Sequence, residues 1–259
     1  MATFLFDKII FGPVISRRLG ESLGINLMPN NKKICNFNCI YCECGPTNSN
    51  DTSKFKLPTR IQVAEKLEFR LKDIKAKKLP IDTVTYAGNG EPTLHPEFPE
   101  IVKDTIALRD KYLPDTDIAV LSNSTLIDNK RIFNALNLVD LNILKLDSGY
   151  EETNKAINCP LFNFNLNKTI ENLKNFNGNL IIQTLFFRGI YKGQEIDNTT
   201  EKELTRWLQI INYIQPESVM IYTIARDTPN KGLYKIPPGE LTRISEKLEK
   251  TGITTHISP

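Results

Sequence analysis

Histidine is scarce in this chain: His95 and His256 are the only two in 259 residues. Both stand far along the sequence from the cysteines, so a closed zinc shell of mixed cysteine and histidine would need extra assumptions. A large excess of one charge is missing too, since 33 basic against 30 acidic residues leave a formal net charge of +3. No overall field compels a nucleic-acid or membrane partner, although a local basic patch is still allowed. The chain also lacks a long apolar run. The longest, Leu180 to Phe187, is broken by Gln183 and falls far short of the roughly 20 residues a helix needs to span a bilayer. The opening MATFLFDKIIFG is interrupted by Asp7 and Lys8 and has no basic lead, so it does not read as a secretory signal. Together these absences predict a cytoplasmic protein with no membrane partner.

The composition, 40% hydrophobic and 24% charged, is that of a globule with a sizeable core. A length of 259 residues suits one large α/β domain, because barrels of this class reach about 250 residues as one unit. We expect one domain over residues 1–259, with an N-terminal extension over 1–30 and a C-terminal helix over 239–251. Of five cysteines, four crowd into Cys35 to Cys44. Such spacing is too tight for a useful disulfide framework in a reducing compartment and favours metal binding.

Short β-branched runs alternate with stretches of helical spacing, the pattern of repeated βα units. Strands are predicted near Lys33–Asn36 and over Thr83–Ala87, Ile118–Ser122, Ile143–Asp147, Leu180–Phe187 and Ser218–Thr223. A helix should start at Arg60, where Thr59 and Gln62 have capping-box spacing and Ala64, Leu67, Leu71 and Ile74 share a face. Further helices are expected over Phe98–Asp110, Lys130–Leu136 and Lys168–Phe176, behind the pair Thr200 and Glu203, and from Gly239 to before Gly252. Six such units make either a partial barrel or an open doubly wound sheet. Pro46–Lys56 and Asn158–Lys168 read as surface loops over a site.

The segment Cys35-Asn36-Phe37-Asn38-Cys39-Ile40-Tyr41-Cys42 places three thiols with Cys-x3-Cys-x2-Cys spacing on one short loop. Each thiolate can take one iron of a cubane, leaving the fourth iron without a protein ligand. Cys44 lies too near Cys42 for ordinary zinc spacing and reads as a free thiol, with a redox or an extra-ligand role as the alternatives; Cys159 reads as an inert packing residue. At the end of the second strand, Gly88-Asn89-Gly90-Glu91 combines glycines that let backbone approach a ligand with an acidic residue. At the third, Asn123 is either a ligand-facing amide or part of an Asn-rich turn. In the fourth strand Leu144 and Leu146 share one face, so Lys145 and Asp147 share the other, aimed at a polar ligand in a barrel lumen or paired with each other. Gln183 and Arg226 stand at later strand ends; Arg226 would clamp an anion or form a surface salt bridge. His95 could serve as an acid or base, or as a hydrogen-bonded loop residue.

The Cys-x3-Cys-x-aromatic-Cys motif of Cys35, Cys39, Tyr41 and Cys42 resembles that of the radical S-adenosylmethionine superfamily. The stretch from Phe11 through Arg17, Arg18 and Gly20, with Gly24-Ile25-Asn26 and the Gly88–Pro96 segment, is similar to the small Fe-S oxidoreductase branch akin to wyosine-tRNA synthases. The resemblance implies a partial (β/α)6 TIM-like barrel whose 4Fe-4S cluster, on Cys35, Cys39 and Cys42, is chelated at its open iron by S-adenosylmethionine. It implies cofactor contacts from Tyr41 near the adenine, from Gly88, Asn89, Gly90 and Glu91 at the amino group, and from Asn123; the strand reading adds Gln183 toward the cofactor and Lys145, Asp147 and Arg226 as catalytic candidates. Arg17 and Arg18 would touch substrate or cofactor, or form a solvated basic pair.

The activity so implied is reductive cleavage of S-adenosylmethionine and hydrogen abstraction from an unidentified small molecule, RNA or protein. An electron donor such as flavodoxin or ferredoxin would supply the reductant. Neither a preceding flavodoxin-like module nor a C-terminal auxiliary cluster is expected. A glycyl-radical activating protein and a noncatalytic metal- or RNA-binding module are the competing readings.

Overall fold

Residues 4–47, 55–226 and 228–259 are described by a computed structural model, so most of the loop expected over Pro46–Lys56 lies outside the described residues. The principal sheet has eight strands in the order β1-β2-β3-β4-β5-β6-β9-β11. These are β1 (Ile10–Ser16), β2 (Gly20–Ile25), β3 (Thr83–Tyr86), β4 (Asp117–Ser122), β5 (Leu141–Lys145), β6 (Ile181–Leu185), β9 (Ser218–Tyr222) and β11 (Thr254–Ser258). From β2 to β11 every pairing is parallel, while β1 closes the edge as an antiparallel hairpin partner of β2. The order never reverses, which a doubly wound sheet requires at its switch point. The strands instead curl in one direction into the partial barrel, which decides between the two sequence-based architectures.

The helices are α1 (Arg60–Lys77), α2 (Phe98–Tyr112), α3 (Lys130–Leu136), α4 (Glu151–Asn158), α5 (Leu166–Lys174), α6 (Glu201–Ile214) and α7 (Pro238–Glu249). Thr59 forms the full capping box with Gln62, and Thr200 accepts from the Glu203 N–H. Each cap satisfies N–H groups that the first helical turn leaves free. Val63, Leu67, Leu71 and Ile74 form the buried stripe of α1, with Ala64 only half-buried at its margin.

Alternation along the strands separates two apolar layers. One side, including Ile118, Val120, Leu144, Leu146, Ile182, Val219 and Ile221, joins the core under the helices. The other, Ala119, Ile143, Ile181 and Met220, meets Leu19 from the β1–β2 turn in a separate apolar cluster. Leu19 thus fills the floor of the barrel.

Three sequence expectations need correction. Lys33–Asn36 is not a strand: Ile34 makes a lone parallel bridge to Gly90. The first barrel strand is β2, inside the segment expected to be an extension. Leu180–Phe187 is not one strand either, because the chain leaves the barrel at Phe186 and continues as β7 (Phe187–Tyr191), which pairs with β8 (Gln194–Asp197) and β10 (Leu233–Lys235) in a small antiparallel sheet. Lys192 and Gly193 join β7 to β8 with φ of 51° and 78°, the left-handed pair a two-residue hairpin needs. Finally, the chain after α7 adds β11 as a further parallel strand.

Candidate functional site

The cysteine loop leaves the top of β2 and is held by backbone and buried side chains on several sides. Ile34 N–H donates to Asn89 O at 2.9 Å, and Glu91 N–H donates to Ile34 O at 3.0 Å. The approach is so close that a Cβ at Gly90 would stand 1.7 Å from Ile34 O, and Gly90 has φ of +146°. Only glycine fits there. On another side, Asn38 and Ile40 N–H groups donate to Asn158 O and Ile157 O, both at 2.9 Å. Asn38 Oδ1 accepts from Thr47 N at 2.6 Å, and Thr47 Oγ1 donates to Cys35 O at 3.1 Å.

A charge buried inside this loop is one the sequence reading passed over. Lys33 is 6% exposed and donates from Nζ to Gly45 O at 2.9 Å. Burial alone would pull its pKa down, but the thiols of Cys42, Cys35, Cys39 and Cys44 around it raise it on balance. Burial pushes the Cys35 thiol up to about 11 and that of Cys39 to about 12. Cys42 moves the other way, since Cys44 hydrogen-bonds to it and Lys33 lies close by. Cys44 also reaches Gly88 O at 3.5 Å. Lys33 follows Asn30-Asn31-Lys32 in a polar stretch, where it reads as one half of a solvated basic pair, which is why sequence reading missed it.

A metal bound here would have to take protons from Cys35 and Cys39, which burial holds high, and Lys33 would supply a countercharge for the anionic assembly that resulted. Among the described residues, no three of His, Cys, Asp and Glu converge tightly enough to hold a single ion. A cubane needs its thiolates apart, each on its own iron, so the donor set fits a cluster better than a mononuclear zinc.

The expected glycine segment sits against this loop, but two of its side chains have structural work. Asn89, fully buried, accepts from Phe6 N and donates to Phe6 O, both at 2.8 Å, and donates to Pro29 O at 2.8 Å. The Glu91 carboxylate accepts from Thr93 N (3.1 Å), Thr93 Oγ1 (2.6 Å), Ser122 Oγ (2.9 Å) and Asn123 N (2.7 Å). Burial pushes its pKa up and those donors hold it back. Glu91 therefore ties the β3 and β4 ends together. Asn123 forms the local turn, with Oδ1 accepting from Thr125 N and Oγ1, while Nδ2 donates to Asn36 Oδ1 at 2.7 Å and approaches Cys35 Sγ at 3.6 Å.

Inside the barrel, one layer above the apolar floor, the lining becomes polar. Lys145 Nζ donates to Asp147 Oδ2 and to Tyr41 OH, and Tyr41 OH donates to Asp147 Oδ2 at 2.7 Å. The Asp147 side chain is fully buried and Lys145's is 9% exposed. Although burial works against it, the neighbouring Asp147 lifts Lys145 above the ordinary lysine range. The Tyr41 ring packs edge-on against Phe187 at 5.8 Å. Gln183 Oε1 accepts from Arg18 Nη1 at 2.8 Å, and the Arg18 guanidinium lies 4.4 Å from the centre of the Tyr222 ring. Lys145, Asp147, Gln183 and Tyr41 thus converge.

Arg226 does not join them. Its side chain is 71% exposed and pairs with Glu43 at 2.9 Å, the surface salt bridge left open by the sequence. His95 is buried, with Nδ1 accepting from Glu97 N at 3.1 Å and Nε2 at 2.8 Å from Pro58 O. Both nitrogens are engaged and burial lowers its pKa, so His95 is a structural loop residue. Cys159 caps α4 and is partly buried among Ile40, Ile157 and Phe187.

Comparison with known proteins fits this geometry. A family model described as the Radical SAM superfamily matches residues 32–199, from the cysteine loop through the strands that line the lumen. The chain is 31% identical over 253 residues to a protein of Brachyspira hyodysenteriae named GTPase Obg, of which it spans 34%. It is 30% identical to a UPF0026 protein of Helicobacter pylori and 31% identical to one of Methanocaldococcus jannaschii, covering 72% and 67% of those proteins and 92% and 89% of itself. The Gly-x4-Gly-Lys-Ser/Thr phosphate loop does not occur in this sequence, so nothing of a GTPase site carries over. Among solved structures, a radical SAM methyltransferase from Sphaerobacter thermophilus superposes with a TM-score of 0.65 at 11% identity, covering 91% of this chain and 65% of that one. Archaeal TYW1 superposes at 0.51 with 14% identity, over 89% and 72%. These two likenesses show the fold.

Proposed function

Because the chain belongs to the radical SAM superfamily, we propose that Cys35, Cys39 and Cys42 hold its 4Fe-4S cluster and that the polar layer of the lumen receives the substrate. A 4Fe-4S cluster and S-adenosylmethionine are the cofactors of this superfamily. When bound, they supply a one-electron reductive cleavage that yields methionine and a 5′-deoxyadenosyl radical able to take a hydrogen atom from substrate. On this reading the protein is an oxidoreductase, the chain acts as one catalytic unit, and it works in a reducing compartment with a protein electron donor.

The observation that carries the reading is the single assembly of the three thiols, buried Lys33 and the Gly90 contact above a lumen lined by Lys145, Asp147 and Gln183. The chain's own residues divide the work. Lys33 balances the negative charge of the thiolates, and Gly88 and Gly90 offer backbone carbonyls to the cofactor's amino group. Asp147 fixes both Lys145 and the Tyr41 hydroxyl, so that neither swings as substrate enters. Leu19 and the apolar floor exclude water from below, which protects a radical from quenching. Among the described residues, no helix is long and apolar enough to cross a membrane.

Protein reconstituted anaerobically with iron and sulfide should be brown and should release 5′-deoxyadenosine when given a strong reductant. Cys39→Ala should remove the cluster absorbance and the product together. Retention of both in the variant would defeat the assignment.

A further inference from the structure

Charge inside the barrel does not balance. Lys145 is matched by Asp147, but Arg18 has no carboxylate partner among the described residues; its contacts are the neutral Gln183 amide and the Tyr222 ring. Arg18 comes from the β1–β2 turn, directly before the Leu19 plug, and is half-buried. A guanidinium in such a place has given up part of its hydration without gaining an anion, which is costly unless a ligand completes the site. At the rim, Arg17 feels Arg18 and Arg226 as neighbouring cations and Glu43 as a neighbouring anion, while Arg226 itself pairs with Glu43. Among the described residues, Arg17 Nη1 donates to Pro259 O at 2.6 Å, whereas in the lumen Lys145 and Arg18 face the single carboxylate of Asp147, so the uncompensated positive charge there is that of Arg18.

Resting on the catalytic reading above, we propose that Arg18, oriented by Gln183 and Tyr222, is the binding site for a carboxylate of the substrate, which is therefore a small organic acid. The position of the group favours this ligand over a bare phosphate. Among the described residues, Arg18 is the lone unmatched cation at this depth, and its planar fork suits a planar carboxylate, whereas a phosphate dianion would call on more than one cation. With its acid group anchored beside Gln183, the remainder of such a molecule lies along the Lys145–Asp147–Tyr41 wall toward the cysteine loop.

The test is direct binding to the full chain, purified anaerobically with its cluster, followed by calorimetry or ligand-observed NMR. The probes are succinate and benzoate, their amides succinamide and benzamide, methyl phosphate, and S-adenosylmethionine. The acids should bind and the amides should not. Arg18→Gln should weaken acid binding by about tenfold or more, and Arg18→Lys should restore part of it. Gln183→Glu, which places a carboxylate on Arg18 without removing it, should block the acids as strongly; it keeps the test alive should Arg18→Gln fold poorly. Equal binding of acids and amides, or acid binding indifferent to Arg18→Gln and Gln183→Glu, would overturn the proposal. So would tighter binding of methyl phosphate, or an equal loss of S-adenosylmethionine affinity, which would make Arg18 the cofactor's own anchor. Release of 5′-deoxyadenosine by the wild-type chain is measured separately. Its absence with acid binding intact would sink the catalytic reading and leave the anion site standing.

Discussion

The lower and upper halves of the barrel interior are made by the same strands, two residues apart, and they are opposites. On β5, β6 and β9 the lower layer is Ile143, Ile181 and Met220, and the upper layer is Lys145, Gln183 and Tyr222. Alternation brings every second residue to the lumen, so one step of two along each strand converts a sealed apolar floor into a charged cup. The floor answers to stability, and on the reading proposed above the cup answers to ligands at a cost in stability. Glycine, amide and lysine positions crowd at the strand ends because that is where backbone and loops leave room for something else.

The contrast can be broken most forcefully in the upper half. Asp147→Ala leaves the Lys145 ammonium buried without its partner and also removes the acceptor of Leu185 N. It should cost about 3–5 kcal/mol in urea unfolding, whereas the double change Lys145→Met with Asp147→Leu should recover most of that loss. Recovery would show that the pair is kept for function; failure to recover would make it structural and blur the contrast. In the lower half, Ile143→Ala should cost about 2–4 kcal/mol by opening a cavity while the protein still assembles its cluster, as followed by absorbance. Loss of the cluster there would mean that the floor and the cup are not separable.

A smaller effect marks a position belonging to neither half. The folded protein holds His95 neutral by burial, so its pKa lies below the ordinary 6.5. Below that ordinary value the unfolded chain takes up a proton that the native chain resists, so stability should fall as pH drops through this window and rise as pH climbs back. In His95→Gln that part of the slope should vanish. An unchanged pH profile in thermal melts would place the titration elsewhere.

How much of this was legible in the sequence depended on which force placed each residue. Local rules were visible: Thr59 with Gln62 started α1 at the right residue, and the run Lys130–Leu136 matches α3. The opposite faces of Leu144 and Lys145 followed from alternation alone. What tertiary context decides was hidden. Strand β2 contains Gly20 and Gly24 and has no β-branched run, yet pairing with β1 and β3 on both sides makes it central. Helix α4 is short, polar and asparagine-bearing, and forms where Asn154 donates back to Ser148 O and Tyr150 O. At the site, the three cysteines and the glycine segment stood out by spacing, Lys145 by strand parity and Gln183 by its place toward a strand end. Arg18 was named only together with Arg17, as a substrate or cofactor contact or a solvated basic pair, and Lys33 not at all, because nothing in the order of residues says that a hairpin turn will fold into the barrel or that one lysine will be drawn in by four thiols.

The contact between Gly90 and Ile34 has a mechanical consequence. Where these two backbones touch there is room for a hydrogen atom and nothing larger, so the depth at which the three sulfurs ride is gauged by a spacer of almost no thickness. Any side chain at position 90 would act as a shim, lifting the whole loop off the barrel mouth and changing the height of the three sulfurs above the lumen without touching a single cysteine.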